Sequence, residues 1–249
     1  MGKVQWVPWW WVAAGIAGLA AIGTTVRLPA AAWAAGVGYL IVSTALLMRG
    51  IRRGGVERFG PANAVTATRS MLVGLVTALV VASFAGAVPT ALLVALVAVA
   101  LALDGVDGYV ARRTRSESEL GARFDMEVDA FLLLVLCVYD VRYVGWWVLT
   151  IGLLRYAFVV AGFALPWMNH TLPPRYWRKV VTAACGVALA LVASQLLPPA
   201  LNILVAVAAL LLILESFGRD VLWLVRLNLA GAPLVSLEKA STSPPEESR

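Results

Sequence analysis

Long apolar runs alternate with short polar or turn-forming segments along this chain of 249 residues. A transmembrane helix needs about 20 mostly apolar residues, and eight runs approach that length. Proline and glycine occur between the runs, where helices are expected to stop. The pattern therefore predicts an all-α integral membrane protein with eight transmembrane helices, over residues 8–26, 30–48, 63–86, 88–108, 120–139, 144–166, 179–197 and 199–218.

The first apolar run could also be read as a signal peptide. It opens with Trp9, Trp10 and Trp11 and has no clear small-residue cleavage site. Tryptophan is enriched where a helix crosses the membrane–water interface. We therefore interpret the run as a helix with an aromatic anchor.

Composition supports a membrane protein and excludes an ordinary soluble domain. Hydrophobic residues make up 61% of the chain and charged residues 14%, and the mean hydropathy is +0.85. The two cysteines, Cys137 and Cys185, both fall inside apolar runs, which predicts small core residues without a disulfide. Residues 236–249 are rich in serine, proline and glutamate, which predicts a disordered tail.

Basic residues concentrate in every second loop, and the turns near Gly86 and Pro198 carry no lysine or arginine. By the positive-inside rule the basic loops are cytoplasmic, and both termini lie on that side. We expect a bacterial plasma membrane. The net charge of +6 is explained by this rule and by attraction to anionic lipid, so no nucleic-acid partner is expected. The three basic groups are Arg49, Arg52, Arg53 and Arg58; Arg112, Arg113 and Arg115; and Arg175, Arg178 and Lys179.

Four aspartates interrupt the apolar pattern with the spacing D-x2-D-G-x2-A-R-x8-G-x3-D-x3-D. Carboxylates at membrane depth are costly and are usually functional. A single one often belongs to an ion pair or a transport pathway. Four at these spacings, accompanied by small residues, indicate a site. They are Asp104, Asp107, Asp125 and Asp129.

Helical periodicity sorts the motif into two stripes, because residues three, four and seven apart share a face. The first stripe contains Asp104, Asp107, Gly108 and Ala111, and the second contains Gly121, Asp125 and Asp129. The two helices are antiparallel and joined by a short polar loop, so the stripes can face each other at the cytoplasmic ends of the helices. The glycines and the alanine permit close approach of a backbone or a ligand.

Converging carboxylates repel one another unless they are protonated or neutralised by cations. Hard divalent ions with oxygen ligands fit best, with Mg2+ favoured and Mn2+ as the alternative. Two such ions about 3.5 to 4 Å apart can clamp a phosphoryl group during in-line attack. Arg112, one turn beyond the first stripe, could hold phosphate oxygens. The chemistry indicated is phosphoryl or phosphatidyl transfer.

Residues 104–129 resemble the signature of the CDP-alcohol phosphotransferases, integral membrane enzymes that make phospholipid head groups. Asn63, Thr66 and Arg69 are similar to the first-helix pattern N-x2-T-x2-R of that family. The resemblance implies a six-helix catalytic core over residues 61–220 and a homodimer. Residues 1–60 would then be an extension with two transmembrane helices and a basic cytoplasmic loop, and residues 221–249 a cytoplasmic, partly disordered tail.

The resemblance also implies roles for individual residues. Asp104, Asp107 and Asp125 would bind two divalent metals, and Asp129 would both touch metal and act as general base. The donor would be CDP-diacylglycerol, and CMP would leave when a hydroxyl of the acceptor attacks the phosphorus that carries the lipid. The residues implied to bind CDP are Asn63, Thr66, Gly108, Ala111, Arg112 and Gly121.

Basic residues on later helices are candidates for binding the acceptor, which we expect to be a small phosphorylated polyol of the glycerol phosphate or inositol phosphate type. Arg155 lies in the middle of an apolar run, so it either faces the cavity or pairs with Glu127. Arg178 and Lys179 could bind the acceptor or be ordinary positive-inside residues. Glu127 points about 200° away from Asp125 and is not expected to bind metal.

A transporter is the alternative from another class, since carboxylates also carry protons and cations across membranes. Transporters usually place ionisable groups near the bilayer midplane and often have repeated halves. The aspartates lie at helix ends, and the sequence has no evident repeat. These two features favour the enzyme.

Overall fold

A computed structural model describes residues 7–53, 61–114, 119–169 and 176–229, and these residues are almost entirely helical. Two short 3-10 turns precede and follow the sixth helix, at Trp146–Val148 and Pro166–Asn169. The helices are α1 (Val7–Gly23), α2 (Ala30–Arg53), α3 (Pro61–Ala82), α4 (Thr90–Thr114), α5 (Glu119–Val144), α6 (Leu149–Ala164), α7 (Tyr176–Ser194) and α8 (Pro199–Leu229).

The prediction of an all-α membrane protein is confirmed, and each of the eight predicted runs corresponds to one helix. Among the described residues, five helices are long and apolar enough to cross a membrane: α2, α3, α6 together with its preceding 3-10 turn, α7 and α8. The apolar parts of α1 and α4 are shorter, over Trp9–Gly23 and Thr90–Gly105. In α5, charged residues at both ends shorten the apolar run. The chain is thus an integral membrane protein with several apolar helices.

Several helices extend past the apolar runs that predicted them. α4 reaches Thr114 rather than residue 108, and α8 reaches Leu229 rather than residue 218. Hydropathy does not detect such polar turns, and in α8 pairs of charged side chains stabilise them. In α8, Arg219 pairs with Glu215 one turn earlier, and Asp220 pairs with Arg178 of α7 at 3.5 Å. The predicted tail therefore begins as helix, and residues 236–249, for which disorder is predicted, lie outside the described residues.

α3 is the most enclosed of the five candidate membrane helices, with 72% of its apolar window buried. It packs against α1, α2, α4 and α5. Small residues allow its contact with α2: a Cβ added to Gly36 would lie 3.0 Å from Ala78 Cβ and 3.2 Å from the Gly74 carbonyl oxygen. α3 therefore lies between the first two helices and the helices that carry the aspartates.

α5 packs against α3, α6 and α7, and one glycine sets its distance from α6. A Cβ added to Gly152 would lie 2.6 Å from the Cα of Leu134, a backbone atom that cannot move aside alone. The free cysteines, Cys137 on α5 and Cys185 on α7, are both buried, which confirms the prediction of core residues without a disulfide. These contacts fix α5, which carries two of the motif aspartates, within the bundle.

Candidate active site

Three of the four motif aspartates converge on one point between α4 and α5. One carboxylate oxygen of each of Asp104, Asp125 and Asp129 lies within 4.8 Å of the others. All three side chains are partly accessible, with exposed fractions of 32%, 19% and 21%. The prediction that the two helices face each other through these residues is therefore confirmed, and a ligand can approach the carboxylates.

Arg69 of α3 lies at the centre of this cluster. Its Nη1 donates a hydrogen bond of 2.8 Å to Asp104 and another to Asp125, and its Nη2 donates to Asp129. The side chain is only 1% exposed. A buried arginine is stable only when its charge is compensated, and carboxylates from two other helices compensate it here. The guanidinium thus ties α3, α4 and α5 together.

The described part of the cluster contains more acidic than basic groups. It joins three carboxylates to the guanidinium of Arg69. Clustered carboxylate oxygens are the ligands that Mg2+ and other hard divalent cations prefer. The donor set therefore fits a divalent metal, and the members described here that could hold it are Asp104, Asp125 and Asp129.

A small cavity borders two of the aspartates. Asp104 and Asp129 line it together with apolar residues of α4 and α5, and α7 closes it with Thr182, Ala183 and Gly186. A Cβ added to Gly186 would lie 2.8 Å from Leu101 Cδ2, so the glycine allows α7 to approach α4. The cavity gives the carboxylates a partly apolar wall.

The remaining residues predicted for metal and CDP divide into two groups. Thr66 is buried one turn before Arg69 on α3, and Gly121 lies half-buried one turn before Asp125 on α5. The side chains of the second group lie outside the described residues, so their roles stay predictions. That group is Asn63 at the start of α3 and Asp107, Gly108, Ala111 and Arg112 on α4.

The basic residues predicted for the acceptor are held by acidic partners or exposed. Arg155 forms an ion pair with Glu127, the partner that the sequence offered as the alternative to a cavity position. Glu127 accordingly does not join the aspartate cluster. Arg178 pairs with Asp220, and Lys179 is exposed. Their part in acceptor binding stays a prediction.

Comparison with known protein families identifies the family of this chain. Residues 59–215, well over half of the chain, match the family described as CDP-alcohol phosphatidyltransferase. This chain belongs to that family. Searches of curated proteins and of solved structures found no significant match.

Membership of the CDP-alcohol phosphatidyltransferase family makes the chain a transferase of phospholipid biosynthesis that acts on CDP-alcohol substrates. The matched region contains the aspartates and Arg69. It begins after α2, so α1 and α2 lie outside it.

Arg69 belongs to a motif of the sequence, but the motif alone does not predict its place in the site. The missing signal was available, because an arginine inside the apolar run 63–86 requires a partner. The motif aspartates are acidic residues of neighbouring apolar runs that can supply this partner.

Proposed function

We propose that this enzyme transfers a phosphatidyl group from CDP-diacylglycerol to the hydroxyl of a small phosphorylated polyol, of the glycerol phosphate or inositol phosphate type, and releases CMP. The observation that carries the proposal is the convergence of Asp104, Asp125 and Asp129 on one point, within the region that matches the family. Family membership supports the CDP-alcohol donor. The choice of lipid donor and acceptor is the part we propose.

In this proposal Asp104, Asp107, Asp125 and Asp129 hold two divalent cations, with Mg2+ favoured and Mn2+ as the alternative. When bound, these ions neutralise phosphate oxygens of the donor and of the departing CMP. Asn63, Thr66, Gly108, Ala111, Arg112 and Gly121 surround the CDP moiety. Thr66 supports this assignment because it lies on the same face of α3 as Arg69.

Asp129 acts as the general base. Its carboxylate takes the proton of the acceptor hydroxyl, whose oxygen then forms a bond to the phosphorus that carries the lipid, while the bond from that phosphorus to the CMP oxygen breaks. Asp129 suits this role because it borders the cavity and is held in one orientation by Arg69. A side chain fixed in this way loses less freedom when the substrate arrives.

The acceptor phosphate would bind Arg155, Arg178 and Lys179. Each arginine has a carboxylate partner in the structure, Glu127 or Asp220. An acceptor phosphate carries more charge than a carboxylate and offers more oxygens, so it can compete for a guanidinium. This exchange would favour phosphorylated acceptors over neutral alcohols.

We further propose eight membrane-crossing helices, with the six-helix core over residues 61–220 preceded by two added helices. The site and both termini face the cytoplasm, and two copies form a homodimer. The positive-inside distribution supports the orientation. A site at the end of the apolar part of α4, Thr90–Gly105, also suits a reaction that joins a membrane lipid to water-soluble substrates.

The test is a panel of acceptors. Purified enzyme is incubated with CDP-diacylglycerol, Mg2+ and glycerol phosphate, inositol phosphate, inositol, glycerol or serine, and lipid products are identified by mass. We expect one phosphorylated polyol to give a new phospholipid with equimolar CMP, and chelation of Mg2+ to stop the reaction. Cation uptake into liposomes without CMP release, and no lipid product from any acceptor, would contradict the proposal.

A further inference from the structure

The two helices outside the family match contact α3 at the residues on either side of Arg69. Trp11 of α1 donates a hydrogen bond of 2.9 Å from its indole nitrogen to Thr68 Oγ1. Tyr39 of α2 places its hydroxyl oxygen 3.4 Å from Ser70 Oγ, a long contact. Thr68 and Ser70 are the immediate neighbours of Arg69 in the chain.

Tyr39 also reaches the helix that carries Asp125 and Asp129. Its ring stacks on Phe131 of α5, with 4.5 Å between the ring centroids and 19° between the planes. Phe131 follows Asp129 by two residues. One side chain of α2 thus contacts both α3 and α5, at the level where Arg69 meets the aspartates.

The contact between α2 and α3 leaves little room for movement. A Cβ added to Gly74 would lie 2.9 Å from Leu40 Cδ2 and 3.3 Å from Tyr39 Cδ1. The side chains of α2 therefore rest directly on the α3 backbone, one turn beyond Ser70. Such close packing transmits a displacement instead of absorbing it.

We propose that α1 and α2 form a positioning clamp, in which Trp11 and Tyr39 hold the Arg69 segment of α3 at a fixed distance from the carboxylates of α5. Both are positioning residues, because they act through Arg69 and the α3–α5 spacing. The proposal gives the extension a function that the family match does not assign. It rests on the proposed metal site, whose ligands Arg69 orients.

The experiment uses the full chain in detergent and compares wild type with Tyr39→Leu and Tyr39→Phe. Mn2+ affinity is measured by the loss of the electron paramagnetic resonance signal of free Mn2+, together with kcat and KM for CDP-diacylglycerol and the thermal midpoint. We expect Tyr39→Leu to weaken Mn2+ binding about threefold to tenfold, the range that the loss of an aromatic pair allows. The kcat should fall with it and KM should change little. Tyr39→Phe keeps the ring and should retain the wild-type Mn2+ affinity and kcat.

Trp33→Leu is the matched control. Trp33 is a partly buried aromatic residue of the same helix, but it packs at the α1–α2 turn, where a Cβ added to Gly23 would lie 3.5 Å from its ring. We expect this variant to lower the thermal midpoint as Tyr39→Leu does, while Mn2+ affinity and kcat stay at the wild-type values. Trp11→Phe is a second variant, which keeps an aromatic ring but removes the indole nitrogen that donates to Thr68, and it should weaken Mn2+ binding by a smaller factor.

Wild-type Mn2+ affinity in both Tyr39→Leu and Trp11→Phe would overturn the clamp. An equal loss of affinity in Trp33→Leu would also overturn it, because the effect would then be general destabilisation. The Mn2+ measurement requires no turnover. A wild-type protein that binds Mn2+ in a Tyr39-dependent way but forms no lipid would support the clamp and contradict the proposed reaction.

Discussion

The two ends of α5 both carry acidic residues, but these residues differ in their exposure and in their partners. At the Glu119 end, Asp125 and Asp129 are partly exposed and share Arg69 with Asp104. At the Val144 end, Asp140 is completely buried, and its two carboxylate oxygens have no hydrogen-bond partner among the described residues. The first end is open to a ligand, whereas the second is closed.

The position of the nearest arginine explains part of this difference. Arg69 lies on another helix and faces the carboxylates across the interface. Arg142 lies two residues after Asp140 on α5 itself, which places it about 200° round the helix axis. It turns instead to Ser83, whose hydroxyl oxygen is 2.6 Å away, and to the rings of Phe84 and Tyr139.

The comparison teaches that an aspartate in an apolar chain is not by itself evidence of a site. What separates the two ends is convergence, since three helices bring charged groups to one point at the Glu119 end. The carboxylate oxygens of Asp140 have no hydrogen-bond partner among the described residues, and the charge of Arg142 offsets only part of the cost of burying it. Substitutions at the two ends should therefore behave differently.

The largest difference is expected in turnover. Asp129→Asn removes the proposed base and should lower kcat by about 10²- to 10⁴-fold, whereas Asp140→Asn should leave kcat within about threefold, because that residue lies at the far end of α5. CMP release under saturating CDP-diacylglycerol measures both. Full activity in Asp129→Asn would show that the assigned base is wrong, and equal losses in both variants would remove the distinction between the ends.

The next largest effect is expected from Arg69→Gln. This change leaves three carboxylates facing one another, and it should lower the free energy of unfolding by up to about 3 kcal/mol, the lower end for a buried pair because the carboxylates are partly exposed. Mg2+ should raise the thermal midpoint of Arg69→Gln less than that of wild type, since Arg69 orients the carboxylates that bind the ion. An equal Mg2+ effect on both proteins would argue against Arg69 as the residue that orients the metal ligands.

A smaller effect is expected from Arg142→Ala. It removes the hydrogen bond to Ser83 and the contacts with two aromatic rings, which together should cost about 1 kcal/mol of stability. Turnover at a temperature where the variant is folded should match wild type. A large loss of kcat without a loss of stability would mean that the Val144 end takes part in the reaction.

The smallest effect on stability is expected from Asp140→Asn. The amide has nearly the shape of the carboxyl group, and it replaces a buried acid whose oxygens have no hydrogen-bond partner among the described residues. We expect the thermal midpoint to stay the same or rise. A marked fall of the thermal midpoint would indicate that the Asp140 carboxyl group has a hydrogen-bond partner that the substitution removes.

The long apolar runs were sufficient to predict the eight helices, because a helix that crosses a membrane requires such a run. It did not predict the ends of α4 and α8, since polar turns beyond the apolar part depend on contacts such as Arg178–Asp220. The facing positions of Asp104 and Asp129 followed from helical spacing within one motif. Arg69 was missed as a site residue because its partners lie on two other helices, and spacing along one chain segment does not report such contacts.

The role of α1 and α2 also depends on contacts between helices, which the sequence alone does not predict. The sequence predicted two added helices but no role for them. Trp11 and Tyr39 are ordinary aromatic residues of a membrane helix by pattern alone. Only their contacts with Thr68, Ser70 and Phe131 connect them to the site.

The central claim is that the carboxylates at the Glu119 end of α5 form the metal site of a phosphatidyl transferase. The most direct test is a Mn2+ titration, followed by electron paramagnetic resonance, of wild type, Asp125→Asn and Asp140→Asn. We predict saturable binding to wild type and to Asp140→Asn, and binding weakened at least about tenfold in Asp125→Asn. Unchanged binding in Asp125→Asn, or its loss in Asp140→Asn, would contradict the account.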